Sequence, residues 1–291
     1  MRTWVNRLGA FLAAAALAGS VTLAISLPLS AQPKATPQRI VSINACADQL
    51  LLALADPAQI AALSVYATDP AYSYLAEQAK AYPHDAGPAE TVLRRQPDLI
   101  FAGRFTKRET RSLLKRLGYQ VVELDTVKTV DDSIAQIRDV AALIGHPERG
   151  ADLIARIEAA RERAASAAPG DRPTAAVYQR RGYVTGQNTL TAELMRLVGF
   201  DDMGGQLAGK TGGFVPLERL VTGRPDYLVM ADPHVVAADQ GSALLAHPAL
   251  NALYPPDRRI TLPGRLTICA GPSLPEAIDT LAAERARLGQ S

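Results

Sequence analysis

Two glutamates at matched positions are the first residues of this sequence whose spacing points to chemistry. Glu90 and Glu218 each lie seven residues before a Pro-Asp pair, and a short apolar run follows each pair, at residues 99–102 and 227–230. Proline cannot continue a helix, so each stretch predicts a short helix that stops before a buried strand. Each glutamate then falls in the first turn of its helix, where the positive end of the helix dipole favours a carboxylate.

Two carboxylates can perform acid–base catalysis when they lie about 5–10 Å apart. Equivalent positions in two repeated units should instead be separated by the width of the molecule. The matched acids, Glu90 and Glu218, therefore favour two-point docking onto a partner. The alternative is that both are ordinary solvated glutamates, which are common in first helical turns.

A second set of residues could hold a ligand, because its members fall near the ends of predicted strands. In open parallel sheets, ligands bind beyond the carboxyl ends of the strands, and this rule selects loops without any alignment. The arginines could contact carboxylate or phosphate groups, and the aromatic side chains could form apolar walls. The candidate ligand-binding residues are Asn44, Cys46, Tyr66, Arg104, Phe105, Arg180, Arg181, Tyr183, Phe214, His234 and Cys269. Any one arginine alone is more simply a solvated surface charge, but three together favour a ligand site.

The two cysteines, Cys46 and Cys269, leave three alternatives open: buried apolar residues, a disulfide bond, or thiols that line a cleft. Each follows a predicted strand, one in each half of the chain. A bond between them would clamp a cleft between the halves and oppose its opening. We therefore predict unpaired cysteines near the cleft.

The sequence offers little support for a metal centre or for catalysis. The four histidines lack the spacing of metal ligands, which argues against a histidine-rich zinc or manganese site. No dinucleotide-binding glycine loop, P-loop or nucleophile elbow is present, so an enzyme is not favoured.

The first 31 residues have the pattern of a secretory signal peptide. Arg2 and Arg7 precede an apolar stretch at residues 8–27, and small residues lead up to Ala31, which predicts cleavage after that residue. The alternative is an uncleaved membrane anchor, since the apolar run approaches spanning length. Removal of the leader lowers the formal net charge from +2 to zero, which gives no support to nucleic-acid binding. It also removes Trp4, the only tryptophan.

The remaining chain alternates strand-like and helix-like patterns. Its 291 residues, 48% hydrophobic and 21% charged, predict a globular protein of one or two domains. Strand–helix alternation is typical of a parallel sheet covered by helices on both faces. We predict an α/β fold of two lobes with parallel sheets, joined by one long helix. The predicted boundaries are a signal peptide at residues 1–31, an N-terminal lobe at 38–146, a linking helix at 147–170 and a C-terminal lobe at 171–291.

Local patterns add several weaker predictions. Asp48 is predicted to cap a helix at residues 49–54. A further helix is predicted at residues 72–80, a loose glycine-rich loop at 203–213 and a strand at 266–268.

Taken together, these features resemble the periplasmic substrate-binding proteins of the iron-siderophore and cobalamin ABC-importer class. The resemblance covers the whole chain after the leader. It rests on RIVSINACADQLLLALADPAQIAALS at residues 39–64, the two glutamate units, the single long helix and the export signal. It implies two Rossmann-like lobes joined by a rigid helix, with a ligand cleft between them. It also implies that Glu90 and Glu218 dock onto arginines of the permease. The chain departs from the family in having no tryptophan after the leader, where many family pockets carry one.

The resemblance implies the periplasmic solute-binding component of an ABC importer, which delivers a metal chelate to a permease dimer. We favour a ferric siderophore as the cargo. Cobalamin or haem is the alternative within the class, and a secreted two-lobed enzyme or a chelate sensor is the alternative outside it. We expect no cofactor apart from the cargo, an iron chelate or corrinoid, no resident metal ion, no nucleic-acid partner and a monomeric protein.

Overall fold

Strands and helices alternate along the computed structural model, which describes residues 36–85, 87–168, 170–231 and 240–289. The strands are β1 (Ile40–Ser42), β2 (Ile60–Ser64), β3 (His84–Asp85), β4 (Leu99–Gly103), β5 (Val121–Leu124), β6 (Thr174–Gln179), β7 (Tyr183–Thr185), β8 (Asp201–Asp202), β9 (Gly212–Phe214), β10 (Tyr227–Met230) and β11 (Arg259–Thr261). The helices are α1 (Ala45–Leu54), α2 (Ala76–Ala79), α3 (Ala89–Arg94), α4 (Arg108–Arg116), α5 (Val130–Leu143), α6 (Pro147–Ala167), α7 (Leu190–Leu197), α8 (Gly204–Ala208), α9 (Leu217–Gly223), α10 (Gln240–Ala243), α11 (Pro248–Leu253) and α12 (Leu274–Leu288). The predicted signal peptide lies outside the described residues.

The first sheet has five parallel strands in the order β3-β2-β1-β4-β5. Successive residues of a strand point to opposite faces, so its central strands supply two cores. Ile40 and Phe101 pack in the cluster that contains buried residues of α1, α5 and α6. Val41 and Ile100 pack in a second cluster with buried residues of α3 and α4. The near-continuous apolar run of β4 follows from this burial on both faces.

The second sheet repeats this arrangement and then extends it. Its strands β8, β6, β10 and β11 are parallel neighbours in that order, matching β2, β1, β4 and β5. Strand β7 lies beside β6 and runs antiparallel to it. Strand β9 lies beside β7 and runs antiparallel to that strand. The predicted α/β class with two Rossmann-like lobes is confirmed, but the second sheet is mixed rather than wholly parallel.

The two Pro-Asp pairs occupy equivalent places in the two sheets. The Asp98 carboxylate accepts the backbone N–H of Gln38 at 2.7 Å, beside the start of β1. The Asp226 carboxylate accepts the backbone N–H of Thr174 at 2.8 Å, at the start of β6. Each aspartate therefore fixes the entry of the neighbouring central strand, which explains why the pair recurs at the same position in both lobes.

One long helix, α6, connects the lobes, as predicted. Its 21 residues bury a stripe of small and apolar side chains, including Leu153, Ile157 and Ala160, against α5 and α12. Residues Thr36 to Ser291 cluster as one compact unit. Within the described part of the chain, none of the helices has both the length and the hydropathy needed to cross a bilayer.

Four local predictions are wrong. Helix α1 begins at Ala45 because Asn44, rather than Asp48, supplies the cap. Only Ala76–Ala79 is helical within the region predicted as helix at 72–80. The glycine-rich stretch at 203–213 contains α8 and part of β9 instead of a loose loop. The predicted strand at 266–268 is absent, because Leu266 ends the short 3-10 helix Gly264–Leu266 and a turn follows it.

Candidate ligand-binding site

A cavity of about 820 Å³ opens in the N-terminal lobe beside the residues that follow its central strands. Its lining includes Asn44 after β1, Tyr66 after β2 and Phe105 after β4. These three are candidate ligand residues, and the structure brings them together as the rule for open parallel sheets predicts. We call this space the N-terminal cavity.

Asn44 is fixed in the cavity wall by its role as the cap of α1. Its side-chain oxygen accepts the backbone N–H groups of Cys46 and Ala47, each at 3.0 Å. Gly103, at the end of β4, leaves room for it, because a Cβ atom there would lie 2.2 Å from the Asn44 side-chain nitrogen. A glycine at this strand end therefore permits the amide to occupy its place.

The aromatic side chains of the N-terminal cavity are unusually exposed for their size. Phe105 is 86% exposed and Tyr66 is 55% exposed. Tyr66 and Tyr72 form an edge-to-face pair with ring centroids 6.2 Å apart. Clustered exposed apolar rings commonly mark a binding surface. This cavity wall is therefore suited to contact with a large apolar or aromatic ligand.

The C-terminal lobe carries a second aromatic group on its antiparallel strands. Tyr183 of β7 lies directly opposite Phe214 of β9, and their rings meet edge to face at 5.5 Å. The guanidinium of Arg181 lies 5.5 Å from the centre of the Phe214 ring, which is a cation–π distance. Arg181 has a φ of 60°, a conformation that is uncommon outside glycine. Backbone strain held in this way is typical of functional segments.

A disulfide bond joins Cys46 to Cys269, so the prediction of unpaired cysteines is wrong. Their Cα atoms are 5.1 Å apart, within the normal range for a disulfide. Cys46 lies in the first turn of α1 and Cys269 follows β11, so the bond links the two lobes. The bond restricts how far the two lobes can separate at this point.

A smaller cavity of about 140 Å³ adjoins this bond. Both cysteines line it, together with Asn44 and Phe105, which also line the N-terminal cavity. Four candidate ligand residues therefore surround the point where the lobes are joined.

The remaining candidates are placed less closely. Arg104 and Arg180 are exposed and line neither cavity, and His234 lies outside the described residues. The charged residues that line the N-terminal cavity are Glu90, Lys107 and Glu109. The described residues include no cluster of three or more His, Cys, Asp and Glu side chains able to hold a metal ion.

Glu90 and Glu218 lie where the sequence predicts, each exposed in the first turn of its helix. Both helices lead into a parallel strand, β4 or β10, so each helix begins near the carboxyl edge of its sheet. Within residues 36–85, 87–168, 170–231 and 240–289, neither carboxylate forms an ion pair or a hydrogen bond. Glu90 also lines the N-terminal cavity, which places it on the rim of the candidate ligand site.

Sequence reasoning missed two residues of this region. Tyr72 lines the N-terminal cavity, but it was expected at the start of a helix. Asp48 was expected to cap a helix, yet it is fully buried and accepts hydrogen bonds from Ser64. Burial raises the pKa of the Asp48 carboxyl to about 6, although the hydrogen bonds from Ser64 favour its ionised form.

Known proteins share this architecture. A family model described as periplasmic binding protein matches residues 40–254. The chain therefore belongs to the periplasmic binding protein family. No curated protein matches it.

Solved structures are similar over most of the chain. The periplasmic heme-binding protein RhuT from Roseiflexus sp. RS-1, in apo form, has 21% identity and a TM-score of 0.68, covering 87% of this chain and 98% of its own. The periplasmic vitamin B12 binding protein BtuF of Vibrio cholerae has 17% identity and a TM-score of 0.67, covering 88% and 99%. A possible iron-binding periplasmic solute-binding protein from Staphylococcus epidermidis has 16% identity and a TM-score of 0.67, covering 87% and 99%. At these identities the likeness shows a shared fold.

Proposed function

We propose that this protein is the solute-binding component of an ABC importer and that it carries a metal chelate. A ferric siderophore with anionic groups is the favoured cargo, and the protein is exported to the periplasm after cleavage of its leader. The observation that carries the proposal is the aromatic N-terminal cavity at the carboxyl edge of the first sheet. Its volume of about 820 Å³ falls within the range of small-molecule sites.

The arginines of the C-terminal lobe support an anionic cargo. The N-terminal cavity is lined by two acidic residues and one basic residue, so it offers little attraction for an anion. Arg180 and Arg181 on the other lobe supply the positive charge, and a guanidinium can bind a carboxylate or catecholate oxygen pair bidentately. Haem and cobalamin remain the cargoes against which this preference must be tested.

Calorimetry with a cargo panel tests the proposal directly. We expect a ferric siderophore to bind the protein purified without its leader more tightly than hemin or cyanocobalamin. Replacing Arg104, Arg180 and Arg181 with Ala should weaken binding of an anionic chelate by a few kcal/mol in total, on the scale of charge-assisted hydrogen bonds. Arg116→Ala, an exposed arginine at the end of α4, is the control. Unchanged affinity of the triple variant for an anionic chelate would contradict the proposal that these arginines bind the cargo.

We also propose that the two exposed glutamates dock onto the permease. Surface carboxylates contribute little to folding, and neither Glu90 nor Glu218 has an intramolecular partner among the described residues. Both begin helices near the carboxyl edge of their sheets, so both lobes offer one acid on the same side as the candidate ligand site. A permease with two related subunits can meet each acid with one basic cluster.

Transport measurements on a double variant test the docking role. Glu90→Ala combined with Glu218→Ala should keep its thermal stability and ligand affinity but lose uptake through the importer. Glu162→Ala, an exposed glutamate on α6, should transport normally. If the double variant transports normally, or if it no longer binds cargo, the two acids do not form a docking pair.

A further inference from the structure

Asp48 is a fully buried carboxylate that no part of the proposed function uses. It lies in the first turn of α1, one turn beyond the Asn44 cap. Its oxygens accept the Ser64 backbone N–H at 3.0 Å and the Ser64 hydroxyl at 2.5 Å. The Ser42 hydroxyl donates its single proton to the Asn44 backbone carbonyl at 3.0 Å, so Ser64 is the serine that donates to Asp48.

The two serines end neighbouring strands at the same edge of the sheet. Ser42 is the last residue of β1, Ser64 is the last residue of β2, and these strands pair in parallel. Both side chains are buried. Asp48, on the helix that follows β1, therefore ties the start of α1 to the carboxyl end of β2.

Each serine hydroxyl then contacts the backbone two residues further along the chain. The Ser42 hydroxyl accepts the Asn44 N–H at 3.3 Å, and the Ser64 hydroxyl accepts the Tyr66 N–H at 3.3 Å. Asn44 and Tyr66 both line the N-terminal cavity. A serine thus contacts a cavity residue twice, and the contact through Ser64 continues to Asp48.

We propose that Asp48 is a positioning residue that sets the ligand loop after β2 through Ser64. A hydroxyl that donates to a carboxylate becomes a better acceptor, because hydrogen bonds in a chain strengthen one another. The buried acid therefore holds the backbone at Tyr66 in place before cargo arrives. The proposal rests on the proposed function only in taking Tyr66 as part of the cargo site.

Amide exchange resolved at single residues by NMR tests the positioning role without any ligand. Ser42→Ala should accelerate exchange of the Asn44 amide, and Ser64→Ala should accelerate exchange of the Tyr66 amide, each by up to about tenfold, the scale of one hydrogen bond. Asp48→Ala should accelerate exchange at Tyr66 and leave exchange at Asn44 unchanged. Ser64→Thr, which keeps a hydroxyl, should retain most of the protection at Tyr66.

Asp98→Asn is the matched control. Asp98 also accepts backbone N–H groups in the first sheet, but at the opposite, amino-terminal edge of β1. This variant should lower the melting temperature while leaving the two cavity amides unchanged. If Asp48→Ala does not fold, Asp48→Asn takes its place. Acceleration at Asn44 as large as that at Tyr66 in the Asp48 variant, or no acceleration at Tyr66, would overturn the positioning role.

A binding measurement distinguishes a failure of this inference from a failure of the proposed function. With whichever of hemin, cyanocobalamin or a ferric catecholate binds the wild type, Ser64→Ala should weaken affinity several-fold, mainly through faster dissociation. Unchanged affinity despite a freed Tyr66 amide would contradict the cargo role of this loop. If none of the three probes binds the wild type, the cargo proposal fails for those ligands, and the exchange measurements still judge the role of Asp48.

Discussion

Asp48 shows how a single side chain can make this protein sensitive to pH. Its carboxyl is fully buried, and burial raises its pKa from 3.8 to about 6. In the unfolded chain the carboxyl ionises near its ordinary pKa, so between pH 4 and 6 the folded state binds more protons. Stability then falls as pH rises through this window.

Urea denaturation of Asp48→Asn tests this effect. Relative to the variant, the wild type should lose roughly 3 kcal/mol of its free energy of unfolding between pH 4 and pH 7, since one pKa unit corresponds to about 1.4 kcal/mol. Far-UV circular dichroism is the suitable signal, because the chain after residue 31 has no tryptophan.

Ser64→Ala provides a directional control for the same measurement. The hydrogen bond from the Ser64 hydroxyl favours the ionised form of Asp48, so its removal should extend the fall in stability to higher pH. A parallel pH dependence in wild type and Asp48→Asn would show that Asp48 does not titrate in this range.

At the scale of elements, the two Pro-Asp units share an uncommon backbone feature. Gln96 and Arg224, the residues before the two prolines, have φ angles of 49° and 45°. Both follow the end of a helix, α3 or α9, where a left-handed residue closes the last turn. Non-glycine residues occupy this conformation at some energetic cost.

Arg224→Gly should therefore stabilise the protein by about 0.5–1 kcal/mol, the usual range for relief of a left-handed residue at a helix end. Arg224 is exposed, so little packing is lost. Thermal denaturation measures the change. The reciprocal control is Gly118→Ala, where φ is 86° and no atom lies within 4 Å of the added Cβ. That variant should be less stable, and a gain there would show that backbone strain does not govern these positions.

The elements differ in how far local sequence determines them. The helix–stop–strand pattern of the Pro-Asp units could be predicted, because proline stops a helix. The contacts of the two aspartates could not, since Asp98 and Asp226 bond backbone groups 60 and 52 positions away in the sequence. The start of α1 could not, since Asn44 and Asp48 are both residues that favour capping, and only tertiary burial separates their roles. Strands β7 and β9 were missed because they are three residues each and lie among glycines.

The candidate site was predicted in part for the same reasons. The carboxyl-edge rule selected Asn44, Tyr66 and Phe105, which the structure gathers around one cavity. Tyr72 was missed because the chain before it turns through Asp69, which accepts the Ala71 N–H at 2.9 Å, so the ring returns to the cavity. Pairing of the cysteines depends on the contact between lobes, which no local pattern encodes.

At the scale of the whole molecule, the lobes are joined covalently twice. Helix α6 is one connection, and the Cys46–Cys269 bond, between residues 223 positions apart, is the other. Hydrogen bonds reinforce the second connection. Gly271 donates its backbone N–H to Ser133 of α5 at 3.0 Å.

Replacing Cys46 and Cys269 with Ser should lower the free energy of unfolding by on the order of 5 kcal/mol, because a cross-link that closes so long a loop strongly restricts the unfolded chain. The double variant should also exchange cargo faster, since the lobes can separate further at the cleft. Urea denaturation and stopped-flow dissociation measure the two effects. Wild type treated with dithiothreitol is the control and should match the variant. Equal stability and exchange rates with and without the bond would show that it neither stabilises nor restrains the lobes.

The same bond makes most of the polypeptide a closed ring. A protease that cuts once between Cys46 and Cys269, for example in the exposed stretch at residues 170–172 that follows α6, opens the ring without releasing a fragment. The nicked molecule keeps both sheets and their covalent tether and migrates on a non-reducing gel at nearly its original mass. It separates into two pieces only when a reductant is added.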